Sequence, residues 1–304
     1  MKQFLCIIWT MFSIGSISYA QKITQITDIQ NDNLFEKVKI IQTIEYTVLL
    51  EKDTIGKGEK ISSLFKKYNV AGFLLESSEY NPNGSLMQKE VFEYDRRNNR
   101  IMELLFSDDN KVEQRIEIKY NTLCLPVKMF AKNEKGKIFQ KTTYQYNEKS
   151  ELIRLTGYDD RGKMAERSYY SYDDKGNLVQ YIGYGEFDNQ KINHTFNLEN
   201  RIIESVRFDL NGNFIEKIIY QYDSTSIKKI YLDKDNKPLK SELFFYDKYE
   251  NLLEITLFDE DETIVENYFF TYQYDTTGNW IFQTTYIGSE RKLVSITERI
   301  IEYY

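Results

Sequence analysis

The chain has 304 residues, a formal net charge of −7, one histidine and two cysteines. An acidic balance argues against a nucleic-acid partner, which requires a basic face. So few histidines and cysteines also argue against zinc sites, which need clusters of these residues at short spacing.

Residues 1–20 are typical of a secretory signal peptide. Lys2 gives a positive start, residues 4–17 form an apolar run, and small residues precede Gln21. This pattern predicts export with cleavage after Ala20. We expect a periplasmic, outer-surface or secreted protein with no transmembrane segment after cleavage.

Residues 21–67 are predicted to form an N-terminal linker and β cap. The first part is polar and irregular, whereas residues 38–50 are rich in β-branched and apolar side chains. A glycine-containing loop and a returning strand follow. Repeat arrays shield their open edges with atypical ends, so we assign this hairpin to the edge of the first repeat.

Residues 68–286 carry an internal repeat that is set by aromatic side chains. Each repeat has a leading aromatic residue and, usually twelve residues later, a second one. The leaders are Tyr68, Tyr94, Tyr120, Tyr146, Tyr172, Phe196, Tyr222, Tyr246 and Tyr274, and the first five are each 26 residues apart. The regular second aromatics are Tyr80, Phe106, Tyr158, Tyr184, Phe208, Phe258 and Tyr286. Four consecutive equal steps indicate a structural repeat.

Each aromatic residue opens a turn. Asp or Asn commonly follows it, and Gly or Asn stands four residues after it. Asp at the first position of a type I turn accepts backbone hydrogen bonds, and Gly or Asn at the fourth can take a positive φ. This combination predicts a β-hairpin with a bulge. The structural turn positions that we single out are Tyr94, Asp95, Tyr172, Asp173, Gly176, Tyr274, Asp275 and Gly278.

The strands and their ends complete the predicted fold. The residue two before a leader is aromatic or apolar and the residue one before it is mostly polar, so one face should carry aromatic ladders. Residues 287–304 alternate charged and apolar side chains and are assigned to a C-terminal cap strand. The sequence therefore predicts an all-β array of consecutive antiparallel β-hairpins that forms an elongated, twisted sheet.

The repeat resembles a known family. The segments that carry the resemblance are Tyr172-Asp173-Asp174-Lys175-Gly176-Asn177-Leu178 and Tyr274-Asp275-Thr276-Thr277-Gly278-Asn279-Trp280. They are similar to the YD repeats of RHS-type proteins, which are secreted or surface-exposed in bacteria and form long antiparallel sheets of hairpins. The chain departs from the large RHS proteins because it is too short to wrap a full shell and carries no toxin domain, so encapsulation and delivery are not implied. Tyr80-Asn81-Pro82-Asn83-Gly84 gives a weaker resemblance to MORN repeats.

The sequence predicts no catalytic, cofactor-binding or metal-binding residues. His194 has no nucleophile motif around it, and the aspartates recur at turn positions, whereas a catalytic carboxylate pair is singular. Asp233-Lys234-Asp235-Asn236 starts like a calcium loop, but Pro238 and Phe244 occupy its sixth and twelfth positions. Weak calcium binding by acidic turns such as 108–110 and 259–262 stays open.

The abundance of tyrosine suggests a binding surface. Most tyrosines recur regularly and are assigned to the core, but Tyr169, Tyr181, Tyr249 and Tyr268 fall outside the repeat and are predicted to be exposed binding aromatics. The favoured function is a non-enzymatic binding or scaffolding module at the bacterial envelope, with a carbohydrate or protein partner. A carboxylate-based glycoside hydrolase and a purely structural spacer are the alternatives.

Overall fold

A computed structural model describes residues 26–51, 54–186 and 188–304. The predicted signal peptide at 1–20 lies outside the described residues. The described part contains one short helix, α1 (Asp28–Asn31), followed by strands only. No helix among these residues is long and apolar enough to cross a membrane.

The strands are numbered in chain order. They are β1 (Val38–Glu51), β2 (Thr54–Tyr68), β3 (Leu74–Tyr80), β4 (Leu86–Tyr94), β5 (Arg100–Phe106), β6 (Val112–Tyr120), β7 (Pro126–Asn133), β8 (Ile138–Tyr146), β9 (Leu152–Tyr158), β10 (Met164–Tyr172), β11 (Leu178–Tyr184), β12 (Gln190–Phe196), β13 (Ile202–Phe208), β14 (Phe214–Tyr222), β15 (Ser226–Leu232), β16 (Pro238–Tyr246), β17 (Leu252–Phe258), β18 (Ile264–Tyr274), β19 (Trp280–Ile287) and β20 (Lys292–Tyr303).

The sheet closes on itself into a 20-stranded antiparallel barrel. Every strand pairs with the next one along the chain, and β20 pairs with β1, where Ile41 lies opposite Ile301 and Thr43 opposite Arg299. The prediction of an open, elongated hairpin array of the YD type is therefore wrong. The predicted N-terminal cap and C-terminal cap strand were expected to cover separate edges of the sheet. Instead, β1 and β20 pair with each other, so the backbone N–H and C=O groups of both edges are hydrogen-bonded.

The turns combine an aspartate or asparagine acceptor with a residue of positive φ. Asp173 Oδ1 accepts from the backbone N–H groups of Lys175 (2.9 Å) and Asn177 (2.8 Å), and Gly176 adopts a φ of +86°. Hydrogen bonds from the Asn177 side chain and backbone lower the pKa of Asp173. Asp95 makes the same contacts to Arg97 and Asn99. Cys124 occupies the equivalent left-handed position, with a φ of +59°.

The two faces of the barrel differ in exposure. Residues that directly precede a leader, such as Lys119, Gln145 and Gln221, are exposed, and the strand register places them all on one face. Residues two before a leader, such as Phe92 and Phe244, point to the other face and are buried. Side chains crowd together on the concave side of a closed sheet, so we infer that the first face, which carries the more exposed side chains, is the outer face and that the second lines the inside.

Buried apolar side chains gather in two clusters. One joins Ile29 and Leu34 of the N-terminal segment to β1 and β2, and the other contains Phe244, Ile255, Tyr268 and Phe270. Each cluster uses neighbouring strands and none from the opposite wall. A closed sheet of this many strands encloses a lumen instead of a single packed core.

Closure can be tested with a disulfide between β1 and β20. Gln42 and Ile300 are directly paired across this seam. In a Cys124→Gly background, Gln42→Cys with Ile300→Cys should form an intramolecular disulfide on oxidation and raise the melting temperature, because it cross-links a long loop. The control pair Gln42→Cys with Glu204→Cys should stay reduced. Exclusively intermolecular bonds from the first pair, seen on a non-reducing gel, would contradict a closed barrel.

The turn geometry gives a second prediction. Gly176→Val should lower the free energy of unfolding by about 2 kcal/mol, because a β-branched residue resists positive φ. A Cβ at this position would also lie 3.3 Å from Glu151 Oε1. Ser150→Gly, at the equivalent position one repeat earlier and with a φ of +65°, is the control. Its unfolding in urea should change little. An unchanged Gly176→Val protein would show that the turn tolerates any residue.

Candidate binding surface on the outer face

At one end of the barrel, here called the tyrosine rim, the hydroxyl groups of leading tyrosines link neighbouring turns by hydrogen bonds. The Tyr172 hydroxyl donates to the Leu152 carbonyl (2.8 Å), and the Tyr94 hydroxyl donates to the Leu74 carbonyl (2.8 Å). Tyr120, Tyr146 and Tyr222 make the same bond to the carbonyl twenty residues earlier. Burial raises the pKa of Tyr172 above its usual range. These tyrosines therefore hold the rim and are not free to bind a ligand.

The last repeat departs from this pattern because β18 is longer. Tyr272, not Tyr274, bonds the Leu252 carbonyl (2.8 Å), whereas the Tyr274 hydroxyl donates to the Asp247 carboxylate. In the following turn Asp275 accepts from the backbone N–H groups of Thr277 and Asn279 and from the Tyr303 hydroxyl, and Gly278 takes a φ of +95°.

The N-terminal segment lies across the tyrosine rim and covers one of the predicted binding aromatics. The backbone N–H of Phe35 donates to Asn279 Oδ1 (2.8 Å), and Asn279 Nδ2 donates to the Phe35 carbonyl (2.9 Å). Tyr249 packs between Phe35 and Tyr274, with ring centroids 5.7 and 4.8 Å away. Asn33 also donates to the Tyr249 carbonyl (2.7 Å). Tyr249 is therefore part of this internal contact.

A charged cluster lies beneath the same segment. Asp32 pairs with Lys66 (2.6 Å) and accepts from the Tyr68 hydroxyl (2.5 Å). The Arg299 guanidinium lies 3.5 Å from the centroid of the Trp280 ring, and burial lowers its pKa to about 10. These contacts join the N-terminal segment, β2, β19 and β20, so they stabilise the closed seam.

Two more of the predicted binding aromatics face inward. Tyr181 is half-buried, with its ring 5.4 Å from that of Tyr170 and its hydroxyl bonded to Asp188. Tyr268 is only 7% exposed and belongs to the second apolar cluster. The expectation of exposure fails for Tyr268 because its strand position points into the barrel.

Tyr169 is the remaining predicted aromatic, and it lies on the outer face. Its ring meets Tyr184 edge-on at 6.1 Å, and its hydroxyl lies 3.5 Å from Nη1 of Arg167. Tyr184 is 44% exposed. The strand register pairs Arg167 directly with Tyr184. This cluster presents two tyrosine rings and a guanidinium to solvent.

The cluster belongs to a longer aromatic strip on the outer face, here called the outer belt, whose members all lie in the half farther from the tyrosine rim except Tyr169, which is paired with Arg154 nearer the rim. It consists of Tyr80, Phe106, Tyr158, Tyr169, Tyr184, Phe208, Phe258 and Tyr286. Lysines lie over some of its rings, with Lys89 Nζ 5.7 Å from the Phe106 centroid and Lys141 Nζ 5.4 Å from that of Tyr158. The twelve-residue spacing located most of these residues in the sequence, but only the strand register shows that they share a face.

The polar pairs of the inner face do not form a recognisable catalytic site. His194 Nδ1 lies 2.8 Å from Ser205 Oγ, and burial lowers the pKa of the histidine. In the described part of the chain no carboxylate is hydrogen-bonded to this ring to orient it. The same part contains no group of three or more His, Cys, Asp or Glu side chains that could hold a metal ion.

The acidic turns considered for calcium use their carboxylates internally. Asp109 pairs with Lys111 and accepts from Ser107. Asp259 Oδ1 accepts from the backbone N–H groups of Asp261 (3.0 Å) and Thr263 (2.9 Å).

Comparison with known proteins does not assign a family. No family model and no curated protein match the chain, so the resemblance to YD repeats stays a prediction. Among solved structures, a porin-like protein from Bacteroides uniformis matches 87% of this chain and 96% of its own at 12% identity and a TM-score of 0.38. The TcdB2-TccC3-Cdc42 structure matches 86% of this chain and 16% of its own at 13% identity and a TM-score of 0.40. A putative outer membrane lipoprotein-sorting protein domain from Vibrio parahaemolyticus reaches a TM-score of 0.25 at 10% identity, covering 90% of this chain and 91% of its own. These scores are too low to transfer a fold or a function, so the fold is described from the strand pairing alone.

The structural role of the leading tyrosines can be measured. Tyr172→Phe should lower the free energy of unfolding by about 1 kcal/mol, because it removes one buried hydrogen bond and leaves the Leu152 carbonyl without this donor. Tyr184→Phe, on the exposed outer belt, is the control and should be nearly neutral in the same denaturation experiment. If both substitutions changed the free energy of unfolding equally, the Tyr172 hydroxyl would not stabilise the tyrosine rim through its hydrogen bond.

Proposed function

We propose that the protein is an exported, non-enzymatic binding module that holds a glycan chain on its outer belt. The observation that carries this proposal is the row of aromatic rings on the outer face, where the exposed ring of Tyr184 meets that of Tyr169. Aromatic rings pack against the apolar faces of sugar rings, and tyrosine hydroxyls add hydrogen bonds. A strip of such rings suits an extended chain better than a single small molecule.

The closed barrel supports this role through rigidity. Strand pairing on both sides fixes the backbone of every belt residue except Tyr184, which is paired on one side, so little freedom is lost when a ligand binds. Tyr158 lies on β9, which pairs with β8 and β10, and Tyr184 lies on β11, whose other residues pair with β12. The ligand meets a preformed surface.

Export to the cell envelope is the second part of the proposal. It rests on the signal-peptide pattern of residues 1–20, which is a sequence prediction. Glycans are abundant in the envelope and outside the cell, so the location and the proposed ligand agree with each other.

The proposal is tested by binding of the mature chain, residues 21–304, to an array of polysaccharides, with and without calcium. We expect saturable binding, and we expect Tyr158→Ala with Tyr184→Ala to weaken it about tenfold, since stacked aromatic groups dominate such contacts. Leu198→Ala is the control, because Leu198 is 92% exposed in a turn at the tyrosine rim, away from the belt. Full binding by the double variant would exclude the belt as the site. Absence of binding to every polysaccharide would favour the spacer hypothesis.

A further inference from the structure

Cationic side chains recur at one position of six consecutive repeats. They form a series, here called the cation row, of Lys89, Arg115, Lys141, Arg167, Lys191 and Lys217, spaced 26, 26, 26, 24 and 26 residues apart. The equivalent positions before and after the row hold neutral residues, namely Ser63, Ser241 and Asn267. The row therefore covers one continuous arc of the barrel, from β4 to β14, and is not a property of every repeat.

The register places the whole row on the outer face, within the outer belt. Four of its members lie directly opposite an aromatic residue of the next strand, and these pairs are Lys89 with Phe106, Lys141 with Tyr158, Arg167 with Tyr184 and Lys191 with Phe208. Arg115 and Lys217 lie opposite Lys132 and Leu232. Cations and rings therefore alternate along the belt.

The members at the two ends of the row are neutralised, whereas those in the middle are not. Lys89 pairs with Glu76 (3.1 Å) and Lys217 with Glu204 (2.8 Å). No carboxylate of the described residues lies within 4.0 Å of the cationic nitrogens of the four central members. Nε of Arg167 is also shielded from solvent without a hydrogen-bond partner. The centre of the row carries uncompensated positive charge on a protein whose net charge is −7.

The spacing of the row is regular in space as well as in sequence. Successive members lie two strands apart, and neighbouring strands are about 4.8 Å apart, so the charges repeat about every 10 Å along the outer face. A ligand that engages several of them must itself be extended and carry negative charge at regular intervals. Guanidinium groups bind carboxylate and sulfate oxygens in a bidentate way, and the neighbouring rings can hold the sugars between the charges.

We propose that the ligand of the outer belt is a linear acidic polysaccharide, with carboxylate or sulfate groups that engage Arg115, Lys141, Arg167 and Lys191. This inference rests on the proposed function and adds the charge of the substrate to it. If these cations served only to keep the protein soluble, removing any three cations from the surface would change polysaccharide binding equally. If they form a site, removing members of the cation row would weaken binding more.

The experiment compares two triple variants of the mature chain that carry the same net charge. The row variant is Lys141→Gln, Arg167→Gln and Lys191→Gln. The control variant is Lys119→Gln, Lys128→Gln and Lys149→Gln, which removes three exposed cations nearer the tyrosine rim that are not paired with a residue of the outer belt. The probes are polygalacturonate, its fully methyl-esterified form, neutral dextran and an oligothymidylate of similar length.

We expect the parent to bind polygalacturonate with an affinity that falls as salt rises, because charged contacts are screened. The row variant should bind about tenfold or more weakly, whereas the control variant should stay within about threefold of the parent, since long-range attraction alone depends on net charge. Circular dichroism and melting temperature confirm that both variants fold.

Four results would overturn the inference. If the methyl-esterified polymer bound as tightly as polygalacturonate, the protein would not recognise the carboxylate groups, although the proposed glycan-binding function would stand. Equal losses in the row and control variants would show that the row is not a site. If oligothymidylate bound as tightly as polygalacturonate, a glycan would be excluded as the specific partner. If no polysaccharide bound, both the inference and the proposed function would fail.

Discussion

The hydrogen-bonded ladder between β1 and β20 is the constraint on which the rest of the structure depends. It extends from Val38, opposite Tyr303, to Tyr46, opposite Ile296, and so joins residues about 250 positions apart. Without it the sheet would expose two long edges with unpaired backbone groups. The N-terminal segment reinforces this seam because Ile29 and Leu34 cluster with Val38 of β1, and Ile301 of β20 packs against that cluster. The Tyr304 N–H also donates to the Lys37 carbonyl (3.0 Å). The loop-closure entropy for such distant partners is large, so stable neighbouring hairpins are needed before the seam can form.

The sequence was sufficient to predict the hairpins but not their closure, for a physical reason. A turn is specified within about five residues, and Asp173 and Gly176 together carry most of that information. Closure depends on whether the first and last strands of the chain pair with each other. The residues within a terminal strand do not show whether it pairs with the strand at the other terminus or forms the free edge of an open sheet. The bulges that follow the turns also bend the sheet, as at Tyr172 opposite Leu178, and this curvature accumulates over many repeats. A small error in the curvature assumed for one repeat therefore changes an open ribbon into a ring.

The same limits apply to the candidate site. The repeat located the second aromatics, and the search for tyrosines outside the repeat found Tyr169, which lies on the outer belt. That search took no account of the side on which each residue lies, so it also selected Tyr181 and Tyr268, which point into the barrel. Tyr249 is covered by a segment that carries no repeat and could not be placed from sequence. Strand parity, counted afresh after each bulge, is the signal that separates these residues.

The ring of equal units has a consequence for how such a protein can evolve. Duplication or loss of one repeat adds or removes two antiparallel strands, so the alternation of strand direction around the ring is preserved. The seam between β1 and β20 uses its own side chains and does not need to change when the number of units changes. Unequal recombination between similar repeats could thus produce a series of rings of different circumference, each with the same closing contacts. In such a lineage the width of the lumen and the length of the ligand-binding arc would vary in discrete steps of one hairpin.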